Sequence, residues 1–325
     1  MQSKYQTLKS VRQALVDYEE KTNPKDLFST LNQFRFDPRP DKLAMIPFTN
    51  PNQTLILNDW AKGQLFSKLG YSDRLYEKLS PSNLNQLNIN WLSQNVEADK
   101  EVMVRTITTP TGEYARAILS NRYEPLSNSE LVDMVIPYFP EDARVRWSHC
   151  DPTVFHASIT LPSSTTEITV GDIVETGIHL SNSEVGFRSV TACGYVFRWK
   201  CANGLITGER TSTYRFRHVG NGDNFHSRVK SSVESALLST TDILEKLRAS
   251  VNEYIEKPAD ELAKIVKANN LSQDDYKEIL NRMTANVYND NMQTKYGVVN
   301  AITQYANALS GERSYEVQQI ASSIL

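Results

Sequence analysis

Residues 189–201 constrain the fold of this chain more than any other stretch, because their character alternates at every second position. Successive side chains of a β-strand point to opposite faces of a sheet. Arg198 and Lys200 fall on one expected face. The rings and thiols fall on the other: Cys193, Tyr195, Phe197, Trp199 and Cys201. Asn203 and Gly204 follow, and both accept the positive φ of a type I′ turn. The run therefore predicts a β-hairpin in an antiparallel sheet.

The same part of the chain is strongly basic. Residues 186–230 hold eight Arg and Lys residues against Glu209 and Asp223, a net charge of +6 in a chain whose total is −3. Cations neutralise phosphates and flat rings stack on bases, so this mixture predicts a surface for single-stranded nucleic acid. The expected phosphate contacts are Arg188, Arg198, Lys200, Arg210, Arg215 and Arg217. The expected stacking rings are Tyr195, Trp199, Tyr214 and Phe216.

A second interpretation of this stretch stays open. The rings could form the core of a half-buried sheet, and the cations could coat its solvent face. We favour the binding surface because a solvent face normally mixes charges of both signs, whereas this one is almost entirely cationic.

The order of predicted elements is helices, then sheet, then helices, which is an α+β arrangement. We expect a helical N-terminal segment over residues 1–98, a mostly antiparallel sheet core with the basic hairpin over 99–225, and a helical C-terminal segment over 226–325. Apolar spacing after residue 226 predicts one helix of about thirty residues. Capping signals mark other helices at Asn58, Ser127 and Ser272.

Composition limits the class of protein. A hydrophobic content of 40% is enough for a sizeable core. No run resembles a signal peptide, and no apolar stretch approaches the length of a membrane span, which predicts a cytoplasmic protein with no membrane partner. Three cysteines, Cys150, Cys193 and Cys201, are too few for a disulfide framework.

Enzyme signatures are few. The sequence has no phosphate-binding loop, dinucleotide fingerprint, nucleophile elbow or zinc-protease motif. We expect no cofactor, although a nuclease-like metal or acid/base cluster of Glu175, His179 and Glu184 stays open as an alternative. A nucleophilic role for Cys150 or Cys201 requires a nearby His, which a sequence alone does not show.

Several segments of the chain resemble the corresponding segments of a known protein family. Residues 114–135, residues 177–204, the tetrad at 217–220 and residues 299–303 are similar to the phage/plasmid-like proteins of domain-of-unknown-function family 932. The most specific elements are Asn-Ser-Glu-Val-Gly at 182–186 and Cys-x-Asn-Gly at 201–204. The resemblance implies a setting in plasmids, prophages and phages, and it supplies no catalytic residues.

A basic hairpin sheet followed by a long helix is also similar in architecture to ring-forming single-strand annealing proteins. The leading hypothesis is therefore a protein that binds or anneals single-stranded DNA in recombination or protection of a mobile element. A long helix that docks on a neighbouring copy would build a ring or filament. A protein that binds a host factor through its acidic helical ends is a further alternative.

Overall fold

The chain mixes helices and strands, and helices lie towards both of its ends. The computed structural model describes residues 6–39, 42–70, 96–207, 213–219 and 222–325, together with the single positions 72, 74, 78 and 83. Within these residues the predicted α+β class is confirmed. The strands form two sheets, whereas the sequence predicted one.

The first sheet is formed before residue 121 and has the strand order β1-β5-β6-β4-β3-β2. Its strands are β1 (Lys25–Thr30), β2 (Phe34–Arg39), β3 (Lys42–Pro47), β4 (Leu55–Leu57), β5 (Glu101–Thr109) and β6 (Gly112–Ser120). Strands β4 and β6 run parallel, and the other neighbours are antiparallel. Helix α2 (Asp59–Leu69) packs Ala61 and Leu65 into the apolar core of this sheet.

The second sheet is antiparallel and has the strand order β11-β10-β9-β8-β7. Its strands are β7 (Arg144–Cys150), β8 (Phe155–Glu167), β9 (Ile173–Asn182), β10 (Val190–Arg198), β11 (Asn203–Ile206) and β12 (Thr213–Phe216). Strand β9 occupies one edge of β10. Strands β11 and β12 share the other edge, with β12 beside the first half of β10 and β11 beside the second half.

Helices cover one face of the second sheet. Helices α1 (Leu8–Thr22), α3 (Asn128–Val135) and α4 (Gly222–Leu238) bury apolar side chains against Ile159 and Leu180. The C-terminal helices form a further core: α5 (Thr240–Ser250), α6 (Pro258–Ala268), α7 (Gln273–Ala285), α8 (Lys295–Asn307) and α9 (Gly311–Ser323). In the described part of the chain, no helix combines the length and apolar character needed to cross a bilayer.

The other face of the second sheet carries both polar and aromatic side chains, and it is buried as well. His156, Ser158 and His179 lie on this face with no exposed surface, and Tyr315 of α9 packs over the two imidazole rings. All nine residues of β10 are consequently buried. The solvent-exposed cationic face that the alternation suggested is therefore absent from this strand.

The capping signals are confirmed. The side chains of Asn58, Ser127 and Ser272 each accept a hydrogen bond from a backbone N–H in the first turn of α2, α3 and α7 respectively. Such bonds satisfy donors that have no partner inside the helix. Local side-chain chemistry therefore fixed these helix starts correctly.

The prediction of a helical segment over residues 1–98 is wrong in its middle. Strands β1 to β4 lie between α1 and α2. Residues 43–47 of β3 are buried without interruption, so this strand lacks the alternation by which a half-buried strand is recognised. A short helix is expected from the sequence at 72–79, and a helix or a loop at 83–94; both stretches fall largely outside the described residues.

The helix after the second sheet is also shorter than expected. Helix α4 ends at Leu238, and α5 begins at Thr240. The hydroxyl groups of Ser239 and Thr240 donate to the carbonyls of Ala236 and Leu237 at 2.8 Å each. Hydroxyls that bond to nearby backbone carbonyls compete with regular helical geometry. The 17 residues of α4 span only about 26 Å, so helix length no longer supports the assembly hypothesis.

The hairpin of β10 and β11 is present, but its turn lies earlier than predicted. Asn203 pairs with Arg198 as the first residue of β11, and Ala202 takes the positive φ of 50°. Gly204 is needed for a different reason, since a Cβ atom there would lie 2.3 Å from the Tyr195 hydroxyl. Close approach of a ring, rather than turn conformation, requires this glycine.

Candidate nucleic-acid interface

Trp199 lies where the chain leaves β10, and 40% of its surface is exposed. Its backbone N–H donates to the Ile173 carbonyl at 3.0 Å, which fixes it beside the start of β9. The Phe197 ring meets the indole edge-on, with ring centroids 6.2 Å apart. A fixed ring that still reaches solvent can stack on a base.

Two guanidinium groups contact the Trp199 ring. The guanidinium carbon of Arg146 lies 4.8 Å from the ring centroid, and that of Arg144 lies 5.9 Å from it. Both distances are within the range of cation–π attraction. Arg146 is buried, with 1% of its side chain exposed, whereas 34% of the Arg144 side chain is exposed. Arg144 is thus the outer cation and Arg146 the inner one.

Glu175 neutralises the inner cation. It is buried, forms an ion pair with Arg146 and accepts a hydrogen bond from the Thr160 hydroxyl at 2.7 Å. Arg144 reaches the same carboxylate at 3.4 Å. Because Arg146 and Glu175 cancel, the charge offered to solvent beside the indole comes mainly from Arg144.

Lys200 adds a second outward cation next to Trp199. Its side chain is 40% exposed, and its ammonium group lies 3.9 Å from Asp290, beyond hydrogen-bonding distance. We call Arg144, Arg146, Trp199 and Lys200 the Trp199 patch. The role of Trp199 and Lys200 in binding nucleic acid stays a prediction, and the structure places both at the surface.

Arg198 does not belong to this surface, which corrects its assignment as a phosphate contact. It is 4% exposed and donates hydrogen bonds of 2.6 to 2.8 Å to Asp172 and Asp290. Burial alone would lower its pKa, but the bonds to Asp290 and Asp172 raise that pKa above the ordinary value. Tyr296 also donates to Asp172, at 2.8 Å. Arg198 therefore ties the end of β10 to the segment before α8.

Tyr195 is a core residue, which corrects its assignment as a stacking ring. It is 2% exposed and packs with Cys193, Phe197 and Tyr315 under α9. Burial raises the pKa of its hydroxyl above the ordinary value. A ring without solvent access cannot receive a base.

Arg188 is engaged at another place on the second sheet. It forms an ion pair with Glu312 of α9, and its guanidinium carbon lies 4.4 Å from the Tyr315 ring centroid. Only 16% of its side chain is exposed. The structure thus assigns Arg188 to the contact between the sheet and α9, and it lies apart from the Trp199 patch.

The remaining predicted contacts lie near the opposite end of β10. Arg217 is exposed directly after β12, whose last residue pairs with Val190. Arg198 lies eight positions after Val190, about 26 Å along the strand. Arg210 and the side chains of Tyr214, Arg215 and Phe216 fall outside the described residues. The predicted basic residues therefore do not form one cluster around Trp199.

The alternative metal cluster is not assembled. Glu175 binds Arg146, Glu184 binds Arg116, and His179 hydrogen-bonds to Ser158 at 2.8 Å and to His156 at 3.2 Å. Across the described ranges, no three His, Cys, Asp or Glu side chains are grouped so as to hold a metal ion. The three residues named in this alternative instead belong to separate buried networks.

The cysteines do not show nucleophile chemistry either. Burial raises the pKa of the Cys150 thiol to about 11 and also raises the pKa of Cys201. Since the thiolate is the nucleophile, both groups are protonated and weakly reactive at neutral pH.

Sequence reasoning missed Arg144 and Arg146. Both lie on β7, within the residues predicted as the sheet core, and both reach the Glu175 carboxylate, so they share a face. This repeat of cations was a usable signal. Their contact with the residue that follows β10 could not be predicted from the sequence, because β8 and β9 lie between β7 and β10 in the sheet.

A comparison with protein-family models matches residues 116–323 to the family described as Domain of unknown function (DUF932). The matched residues make up more than half of the chain. The chain belongs to the DUF932 family. The DUF932 match contains the whole second sheet and most of the C-terminal core, whereas most of the first sheet precedes it. No curated protein and no solved structure matches the chain.

The Asn-Ser-Glu-Val-Gly element joins the two sheets. The Glu184 carboxylate pairs with Arg116 of β6 and accepts the backbone N–H of Asn128 at the start of α3. The Glu184 carbonyl accepts from Arg105 of β5 at 2.7 Å. Trp60 of α2 donates to the next carbonyl, that of Val185, at 2.8 Å. In this DUF932 chain the element is therefore a structural junction.

Proposed function

We propose that the protein binds single-stranded nucleic acid through the Trp199 patch. The observation that supports this most strongly is the partly exposed Trp199 ring, which contacts the guanidinium groups of Arg144 and Arg146 and is followed in the chain by the exposed Lys200. A base stacked on an aromatic ring contributes about 1–3 kcal/mol without regard to sequence. The patch thus offers one stacking platform and two phosphate contacts.

Preference for a single strand follows from the shape of this platform. In a duplex the faces of the bases are already stacked on one another, whereas an unpaired base has a free face. The Arg144 guanidinium contacts the indole and Lys200 follows Trp199 in the chain, so we expect contact with one base and its adjoining phosphates. Arg217, at the far end of β10, would extend the path of a longer strand.

The wider biological setting is part of the proposal. We infer a cytoplasmic protein of a phage, prophage or plasmid that protects or anneals single-stranded DNA during recombination. Assembly into a ring or filament would join the patches of several copies into one track. The divided helix α4–α5 gives this assembly no structural support, so it rests on the functional analogy alone.

A direct binding experiment tests the proposal. We expect a fluorescein-labelled oligothymidine to bind with a rise in anisotropy, and the same sequence annealed to its complement to bind more weakly. Trp199→Ala should weaken binding of the single strand by about tenfold or more. Tyr254→Ala is the matched control, because Tyr254 is another exposed ring and lies outside the patch.

Two outcomes contradict the proposal. One is equal affinity of the folded Trp199→Ala variant and the wild type. The other is absence of binding to either oligonucleotide at low salt, where phosphate contacts are strongest.

A further inference from the structure

A cleft of about 350 Å³ lies between α1 and the turn that joins β7 to β8. The cleft is separate from the Trp199 patch, because the two lie at opposite ends of β9. Asn182, the last residue of β9, pairs with Phe155 at the cleft, whereas Ile173, its first residue, accepts the backbone N–H of Trp199. The cleft is lined by Gln6, Val11, Ala14, Leu15, Tyr18, Ser148, His149, Cys150, Asp151, Pro152 and Phe155. Its volume is within the range of small-molecule sites.

The wall from α1 is apolar. Val11, Ala14, Leu15 and Tyr18 follow the spacing of one helical face, and the Tyr18 ring is 42% exposed. Phe155 of β8 closes the cleft from the sheet. A ligand body that fits between these walls is small and largely apolar or aromatic.

The turn adds a carboxylate that stays ionised. Asp151 Oδ1 accepts hydrogen bonds from the Thr153 N–H, the Thr153 hydroxyl and the Val154 N–H at 2.7 to 2.9 Å. Its Oδ2 lies 3.0 Å from His149 Nε2. Partial burial opposes the charge, but the bonds from His149, Thr153 and Val154 lower the pKa of Asp151 to about 2. The side chain is 36% exposed, so a ligand can reach it.

Nearby charges make the cleft negative. Around Cys150 lie three carboxylates, those of Glu184, Asp151 and Glu19, and one guanidinium, that of Arg116. Glu184 and Arg116 form an ion pair and neutralise each other. The carboxylates of Glu19 and Asp151 remain, and one imidazole, that of His149, lies 3.0 Å from Asp151 Oδ2 on the lining. Two carboxylates against one imidazole favour an occupant with a positive charge.

We propose that this cleft binds a small organic cation, namely an ammonium group carried on an apolar or aromatic body. The ammonium group pairs with Asp151, and the body packs between Phe155 and the apolar face of α1. The Tyr18 ring offers the cation a second attraction through its π face. This inference is independent of nucleic-acid binding by the Trp199 patch.

Three probes that share one body test the charge requirement. They are 2-phenylethylamine, 2-phenylethanol and phenylacetate, which are cationic, neutral and anionic. We expect calorimetry with the full chain to give the tightest binding for the amine and the weakest for the acid. Equal binding of all three, or binding of the acid alone, would overturn the proposal.

Asp151→Asn removes the negative charge of this side chain and keeps an oxygen that can accept the hydrogen bonds of the turn. Asn also accepts backbone hydrogen bonds in such turns, so the variant should fold. We expect it to bind the amine about tenfold more weakly and to bind the alcohol as the wild type does. Unchanged amine affinity would contradict the assignment of Asp151.

Cys150 provides a readout inside the cleft. It is the exposed cysteine, whereas Cys193 and Cys201 are buried. Because the raised pKa of the Cys150 thiol makes it react slowly at neutral pH, alkylation is followed at a pH of about 9, and the amine should slow it. Ala14→Trp, which fills the cleft from an exposed helix position, should abolish both protection and binding. Gln13→Trp, one residue away and off the lining, is the matched control. Protection that persists in Ala14→Trp would place the amine elsewhere.

Discussion

The guanidinium carbon of Arg146 lies 4.8 Å from the centroid of the Trp199 ring while the same group forms a buried ion pair with Glu175. The side chains of Arg146 and Glu175 are each 1% exposed, and this buried pair supports the Trp199 ring, which is 40% exposed. The position of the exposed ring in the Trp199 patch therefore depends on a buried ion pair inside the sheet.

Removal of the buried cation should destabilise the whole fold. Arg146→Ala leaves Glu175 buried with a weaker partner, and we expect a loss of about 3–5 kcal/mol in the free energy of unfolding, measured with urea. Arg12→Ala is the matched control, because the Arg12–Asp133 pair is exposed and its loss should cost far less. Similar losses in the two variants would show that Glu175 is not a buried charge in need of its partner.

Two glycines should respond oppositely to the same substitution. A Cβ atom at Gly177 would lie 1.8 Å from the Ile159 carbonyl oxygen, so Gly177→Ala forces β8 and β9 apart. We expect it to cost about 3 kcal/mol or more. Gly63 in α2 has nothing within 4 Å of that position, so Gly63→Ala should gain about 0.5–1 kcal/mol. Thermal unfolding of both variants checks the packing; a tolerated Gly177→Ala would refute the strand register.

At low pH we expect the protein to lose more stability than the protonation of its carboxylates alone would cause. Burial lowers the pKa of His156 to about 3 and that of His218 to about 4, and it lowers the pKa of His179 well below its ordinary value. Below pH 6.5 the unfolded chain therefore binds more protons than the folded chain. Stability then falls as the pH falls, by about 1.4 kcal/mol per pH unit for each histidine.

The measurement is the free energy of unfolding in urea between pH 7.5 and 5. We expect a loss that approaches about 4 kcal/mol per pH unit at the acid end, where all three buried imidazoles contribute. His226→Gln is the control: it should keep the steep loss at the acid end, because all three buried imidazoles remain. A flat wild-type profile would contradict the burial of the three rings.

Much of the fold was predictable from local signals. Ser272 and Asp275 form the capping box that begins α7, and the strands β7, β8 and β9 lie within residues 99–225, which were predicted as the sheet core. These features depend on neighbours in sequence. Strands β1 to β4 of the first sheet escaped prediction, because β3 is buried throughout and β4 has only three residues, whereas β5 and β6 lie within the residues predicted as sheet.

The site was less predictable, for a physical reason. Alternation along β10 correctly separated Arg198 from Phe197, but it could not show that helices cover both faces of the strand. Arg198 looks like a surface cation until Asp172 and Asp290, distant in sequence, are seen to bind it. The two cations that do reach the Trp199 ring come from β7, three strands away.

The salt dependence of binding tests the central claim most directly. The measurement is the slope of log affinity against log salt for single-stranded DNA, in the wild type and in the double variant Arg144→Gln with Lys200→Gln. Each phosphate contact on a single strand contributes about 0.7 to this slope, so we expect the variant to lose about 1.4. Lys246→Gln combined with Arg248→Gln, on the exposed side of α5, should lose nothing. An unchanged slope in the folded Arg144→Gln, Lys200→Gln variant would contradict the account.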